Sequence, residues 1–199
     1  RIRLYANINR HVEARSPEAF AIAAAAAVSE GFTGIKLAPF DEVSGASRRR
    51  TATDAPWRLG IQRVRAVREA IGPGVELMVD CHGRFDAGDV RQVAQELAAL
   101  DVLWIEEPVP DTQLEALSHL TGQLPVATAA AENVYGIEGF APFFSSRVVD
   151  VLMPDVKHDG GLLETKIITE AARMAGLLVL VVSLALQRRH QDQHRADVH

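Results

Sequence analysis

A parallel α/β fold whose strands converge on one edge is predicted by three observations. Apolar, strand-like runs alternate with helical stretches through residues 2–182. Three of these runs end on a carboxylate: VELMVD on Asp80, VLWIE on Glu106 and PVATAAAE on Glu132. The acids recur at equal intervals of 26 residues, about the length that a strand, a helix and two short connections need. In a parallel barrel the C-terminal strand ends converge, so acids distant in the chain can share one small volume. The expected fold class is α/β, a TIM-type (β/α) barrel, incomplete, with about six βα units plus a candidate seventh strand. At 199 residues the chain is short for eight units, which typically take about 250.

The elements follow in order. IRLYANIN, residues 2–9, alternates apolar and polar positions and is the first predicted strand. Ser16 and Pro17 open a helix as cap and first turn, an Ala-rich stretch continues it to Ser29, and Gly31 ends it. FTGIKLAP is strand two, followed by a long loop, 40–56, that carries Arg48, Arg49 and Arg50. Residues 57–71 have an amphipathic helical pattern that Gly72-Pro73-Gly74 stops. VELMVDCH is strand three, residues 86–100 helix three, and VLWIEE strand four. A helix near 113–121, strand five over 125–132, a helix near 136–146, strand six in VVDVLMPD and a helix over 162–175 complete the alternation. Nearly continuous apolar strands of this kind belong to a sheet covered by helices. LLVLVVSLAL is the candidate seventh strand. QRRHQDQHRADVH has no periodicity and reads as a solvated tail, His190, His194 and His199 included. The expected boundaries are a partial barrel over 1–182 and a divergent tail over 183–199.

Composition narrows the function classes. A hydrophobic content of 48% supports a sizeable core, and a net charge of −5 favours neither nucleic acid nor an anionic membrane. No run reaches the roughly 18–20 apolar residues of a membrane span, so no membrane role is expected. Cys81 is the single cysteine; it has no internal disulfide partner and fits a reducing, cytoplasmic setting. Three clustered anions repel unless a cation lies among them. The expected ligands of a hard divalent metal are therefore Asp80, Glu106 and Glu132, with Mg²⁺ the leading ion and Mn²⁺ a substitute.

The stretches GFTGIKLAPF, LMVDCHGRF, WIEEPVP, AENVYG and DVLMPDVKHDGG, in this order, resemble the enolase superfamily, in its mandelate racemase and muconate lactonizing branch. The resemblance covers roughly residues 1–180 and puts Asp80, Glu106 and Glu132 on the family's three metal-ligand positions, with Glu107 in support. It implies abstraction of a proton α to a carboxylate, with the enediolate held on Mg²⁺. It also implies a small-molecule carboxylate substrate and a homo-oligomer. Strand alternation turns Asp80 inward, Cys81 toward the helices and His82 inward again. The Asp-x-His arrangement is similar to that of members that dehydrate sugar acids, with His82 assisting loss of hydroxide.

Two positions depart from the pattern. Lys36 matches the first lysine of a Lys-x-Lys motif whose second position is Ala38, which disfavours two-base racemisation. Lys36 is left between contact with a substrate or metal ligand and a purely structural ion pair. Asp155 matches an aspartate that orients a strand-seven histidine, and that histidine is missing from LVVSLALQ. Arg84 and the three loop arginines are candidates for meeting an acidic substrate. The expected activity is that of a hydro-lyase, dehydrating a sugar acid. The alternatives are a racemase, epimerase or cycloisomerase of the same branch, a Schiff-base aldolase on Lys36 or Lys157, or a truncated, inactive remnant.

Overall fold

The computed structural model describes residues 4–9, 12–44 and 55–182. Arg48, Arg49, Arg50, the tail 183–199 and the end of the seventh predicted strand lie outside the described residues. The chain divides into two compact units between Ala129 and Ala130. The first holds β1 (Ala6–Asn7), α1 (Pro17–Ser29), β2 (Gly34–Leu37), α2 (Trp57–Ile71), β3 (Glu76–Asp80), α3 (Ala87–Ala98), β4 (Val102–Glu106), α4 (Leu114–Thr121) and nearly all of β5 (Ala127–Ala130). The second holds α5 (Gly136–Ser145), β6 (Val151–Leu152), α6 (Leu162–Met174) and β7 (Leu178–Val179).

Every strand pairing is parallel and joins chain neighbours, in the order β1 to β7. Parallel neighbours separated by one helix each are the connectivity of a TIM-type (β/α) barrel, here incomplete, with seven strands among the described residues. In the first unit the register pairs Lys36 with Met78, and Asp80 with Glu106, which in turn pairs with Ala129. Residues paired this way project from the same face of the sheet. In the second unit the Met153 N–H donates to Ala130 O at 2.9 Å, and β6 pairs with β7.

Local chemistry accounts for the helices. Ser16 accepts the Ala19 N–H at 3.2 Å with Pro17 in the first turn, and Asp86 accepts the N–H groups of Gly88 and Asp89. α2 buries Trp57, Ile61, Val64, Val67 and Ile71, a spacing of three and four residues that lays one stripe against the sheet. Each such side chain contributes about 1.5–3 kcal/mol when fully buried. At its end, Arg68 donates to the carbonyls of Gly72, Val75, Leu100 and Asp101, fastening the turn into β3 to the turn into β4.

The strands are shorter than their apolar runs. β3 stops at Asp80 because His82 takes φ 50°, and β4 stops at Glu106 because Glu107 takes φ 42°. β6 keeps only Val151–Leu152, although Val148, Val149 and Met153 are also buried. Apolar patterning registers burial, whereas strand assignment requires the ladder, and here the two differ.

α2 also carries Gly60, whose absent side chain leaves room for the Phe40 ring; a Cβ there would overlap Phe40 Cδ1 and lie 3.1 Å from Pro39 O. Gly60→Ala should gain about 1 kcal/mol of helix propensity and lose about 1–3 kcal/mol to overpacking. The expected net result is a lower urea midpoint at unchanged slope. A raised midpoint would show that Phe40 yields freely.

Candidate active site

β2, β3 and β4 bring three charged side chains together inside the first unit. Asp80 and Glu106, opposite each other in register, are 4% and 1% exposed, and Lys36 is 2% exposed. Lys36 lies at the level of Met78, one inward position below the acids. Its four-carbon stem lifts Nζ to 2.6 and 2.8 Å from the two Glu106 carboxylate oxygens and 3.5 Å from Asp80 Oδ2. Burial alone would pull the ammonium's pKa down. The charge of Glu106, joined by Tyr5 and Asp80 and by the Glu106 hydrogen bonds, outweighs burial and holds Lys36 above the ordinary lysine range. Lys36 therefore contacts two of the expected ligands, and the contact is also an ion pair.

His82 reaches Asp80 by a different route from strand alternation. The strand has ended, and the positive φ of His82 folds the chain into a turn in which Asp80 Oδ1 accepts the His82 N–H at 3.0 Å. The ring comes back over the same carboxylate, with Nε2 3.1 Å from Asp80 Oδ2. Its side chain is 52% exposed, so one carboxylate joins a buried lysine to a solvent-facing imidazole. The hydrogen bond to Asp80 raises the His82 pKa above the usual imidazole range, with burial partly opposing it. Burial pushes Asp80 upward, but the His82 hydrogen bond and then the Lys36 charge bring it below the ordinary aspartate value. Cys81 is buried, as its alternate position predicts, and burial pushes its thiol up. The Cys81 and Gly83 N–H groups donate to Glu106 O at 2.8 Å and Glu107 O at 2.7 Å, binding this turn to the end of β4.

Arg84 is engaged on the β2–α2 loop, where its Nη1 donates to Asp41 O at 3.0 Å and Val43 O at 3.3 Å. The same segment is held by Arg15, paired with Asp41 at 2.6 Å, and by the buried Arg63, paired with Glu42 at 2.7 Å. Burial of its carboxylate opposes the effect, but the Arg63 hydrogen bond holds Glu42 below its ordinary pKa.

In the second unit, Glu132 stands two residues past the end of β5, after Ala131 at φ 90°. Asp155 is fully buried; its Oδ1 accepts the Lys157 N–H at 2.8 Å, and its Oδ2 has no hydrogen-bond partner among the described residues. His158, near Asp155 in the sequence but not promoted because it matches no motif position, lies 2.9 Å through Nδ1 from Glu132 O. Its only signal was its place three residues after Asp155.

Residues 19–190 match the family described as enolase C-terminal domain-like. The chain belongs to this family. A D-xylonate dehydratase of Haloferax volcanii is 32% identical over 87% of the chain, which spans 42% of that relative's length. A solved mandelate racemase/muconate lactonizing enzyme-like protein of Rubrobacter xylanophilus superposes with TM-score 0.80 and 34% identity, covering 90% of this chain and 50% of its own. An L-talarate dehydratase of Polaromonas sp. JS666, solved with Mg and L-glucarate, gives TM-score 0.68 and 28% identity over 81% of this chain and 42% of its own. The chain thus spans about half or less of the length of each. No helix among the described residues is long and apolar enough to cross a membrane.

Two tests read the electrostatics of this site directly. Lys36→Met leaves two buried carboxylates without their ammonium and should cost about 3–5 kcal/mol at neutral pH, measured by urea denaturation. Because the Lys36 pKa is raised, its contribution is complete below the unfolded value of about 10.4 and fades only as pH rises through the higher folded value. A cost under about 1 kcal/mol at pH 7, the scale of an exposed pair, would contradict the burial described. Asp80→Asn should return the His82 titration, followed by ring-proton NMR, toward the usual value near 6.5. The parent's Asp80–His82 contact should stabilise the fold below about pH 6.5 and lose this contribution as pH rises through the raised folded value. An unchanged His82 titration in the variant would contradict the contact.

Proposed function

We propose that Asp80, Glu106 and Glu132 hold a Mg²⁺ ion and that the site dehydrates a small sugar acid. The observation that carries this reading is the buried Asp80–Glu106 pair sharing one ammonium. Two carboxylates against one Lys36 leave a net negative charge in a low-dielectric setting, and Glu132 offers a further carboxylate oxygen. Such a donor set is all hard oxygen, which suits Mg²⁺. When bound, the cation neutralises charge that develops on the substrate's carboxylate oxygens as the adjacent proton leaves.

The chain's own residues supply the positioning and the acid. Lys36 holds the Glu106 carboxylate in place through both its oxygens, and Asp80 holds the His82 ring. With its raised pKa, His82 carries a proton in a larger fraction of molecules near neutrality, which suits a general acid. As the Cα proton passes to the base, the Cα–H electron pair forms the C=C bond, the bond from Cβ to its hydroxyl breaks with its electron pair, and His82 gives the departing oxygen the proton that makes it water. Asp155, whose buried Oδ2 has no partner among the described residues, is assigned to orient a proton-abstracting base from strand seven, where LVVSLALQ carries no histidine and the base is not identified. Ala38 follows Leu37, the partner of Val79, and so falls at the level of Asp80. Its methyl group cannot exchange a proton, which favours dehydration over two-base racemisation. The relatives that are sugar-acid dehydratases support the substrate class, and a homo-oligomer remains part of the family-based reading.

The reading is tested by Mg²⁺ calorimetry and by incubation with a panel of aldonic and aldaric acids, scored for 2-keto-3-deoxy product. The parent should bind Mg²⁺, and Glu106→Gln should weaken binding by more than the roughly 10–100-fold that losing a supporting residue costs. His82→Asn should keep the metal and lose about 10²–10⁴-fold in kcat. A folded parent that binds no Mg²⁺ would sink the metal site. Metal binding with no product from any acid would leave the site but reject the dehydration.

A further inference from the structure

We infer that His158 is a positioning residue for Glu132, holding that carboxylate in line for the cation through a hydrogen bond to the Glu132 backbone carbonyl. The inference rests on reading Glu132 as a metal ligand, and every contact in it lies within the second unit.

The need for such a residue arises at the end of β5. Ala130 O is the last ladder acceptor, taking the Met153 N–H at 2.9 Å. Ala131 then adopts φ 90°, a conformation that a residue with a side chain rarely holds unaided. The chain leaves the ladder there, and Glu132 has no strand partner to fix its direction. The local turn contributes the Val134 N–H to Ala131 O, at 3.4 Å. The Glu132 carbonyl is instead taken by His158 Nδ1 at 2.9 Å. A carbonyl oxygen only accepts, so Nδ1 carries the hydrogen, whatever the state of Nε2. With Ala130 O fixed on one side and Glu132 O on the other, the peptide planes bracketing Ala131 and Glu132 are both held. The Cα–Cβ direction of Glu132 is thereby set.

His158 can serve as a fixed point because its own backbone is anchored on both sides. Asp155 O accepts the His158 N–H at 2.8 Å and the Asp159 N–H at 2.9 Å, while Asp155 Oδ1 accepts the Lys157 N–H. Behind Asp155, the Val156 N–H donates to Val182 O and the Val182 N–H to Pro154 O. On the other side, the fully buried Asp159 accepts the Gly161 N–H and the Thr165 hydroxyl. The Tyr135 ring lies against the imidazole at 5.8 Å between centroids. The turn that Asp155 organises thus delivers one imidazole N–H to the backbone of the expected ligand. Second-shell donors of this kind typically change metal affinity by about 10–100-fold.

The atom at issue separates positioning from general packing. Asn presents its amide nitrogen close to where His presents Nδ1, whereas Gln reaches the place of Nε2. Mg²⁺ binding to the purified chain should weaken about tenfold or more in His158→Phe and His158→Gln and stay within about threefold of the parent in His158→Asn, with circular dichroism and melting confirming a folded chain. Equal Mg²⁺ affinity in parent and His158→Phe overturns the inference, as do Asn and Gln variants that behave alike. Glu132→Gln is measured alongside. If it binds Mg²⁺ like the parent, the assignment of Glu132 as a ligand has failed; if it loses Mg²⁺ while His158→Phe does not, only the positioning role has failed.

Discussion

The contact of Lys36 with Glu106 and Asp80 is the constraint on which the first unit's site depends. Removing a carboxylate from water costs several kcal/mol even after relaxation, and this pair is removed almost completely. One ammonium answers both, so neither acid can be treated alone: a change at Glu106 alters what Lys36 offers Asp80, and through Asp80 it alters His82. The register makes this sharing possible. Asp80 and Glu106 face each other at one level, and lysine one level below has the stem length to reach up between them. Arginine has a longer, planar head and would not place a point charge there. The arrangement stabilises the strand ends only in part, because one positive charge cannot neutralise two negative ones. The remainder is what a divalent ion would meet.

A second regularity concerns the backbone where the acids are presented. His82, Glu107 and Ala131 all take positive φ, and each lies within two residues of Asp80, Glu106 or Glu132. Glycine would hold these conformations at little cost, yet the positions carry side chains. Residues in this region typically cost about 1–3 kcal/mol each, and they persist because neighbouring hydrogen bonds determine the geometry. The Asp80 carboxylate takes the His82 N–H, Gly83 donates to Glu107 O, and His158 takes Glu132 O. Each strand is stopped within two residues of its acid, and the sharp exit frees the side chain from the ladder's alternation. Strain and the presentation of the acids are in this sense one feature, repeated on three consecutive strands.

The order of the elements was legible in the sequence because helical and strand periods differ and glycine or proline marks several boundaries. Residues 57–71 form the helix expected of them, since one apolar stripe and a terminal Gly72 leave little choice. Strand ends were less legible. VELMVDCH reads as continuous, yet the ladder stops at Asp80, because φ at His82 is set by the hydrogen bond Asp80 offers rather than by its own preference. His82 was placed beside Asp80 through alternation and is beside it through a turn. Lys36 could not be divided between ion pair and ligand contact from the sequence, and the structure removes the choice by making one contact serve as both. His158 was set aside because it matches no motif position, and its partner, a main-chain carbonyl, leaves no trace in residue identity.

The difference between Lys36 and Ala38 bears on which chemistry the site can support. Racemisation by two bases needs a proton acceptor on each face of the substrate carbon, and at the level of Asp80 this chain offers the methyl group of Ala38, the residue after β2. Dehydration requires one base and one acid. On the proposed reading His82 is the acid: it is half exposed and tied to a carboxylate that favours its charged form. A base in that position would need the opposite tuning, with its charged form disfavoured near neutrality. The same Asp80 that raises His82 is kept, against burial, below the ordinary aspartate value by its hydrogen bond with His82 and then by Lys36, whose own charge pushes the His82 pKa down. Lys36 thus fixes the carboxylate that holds the ring while its charge opposes the ring's protonation, so the tuning of the acid is a balance of Asp80 against the lysine beneath it.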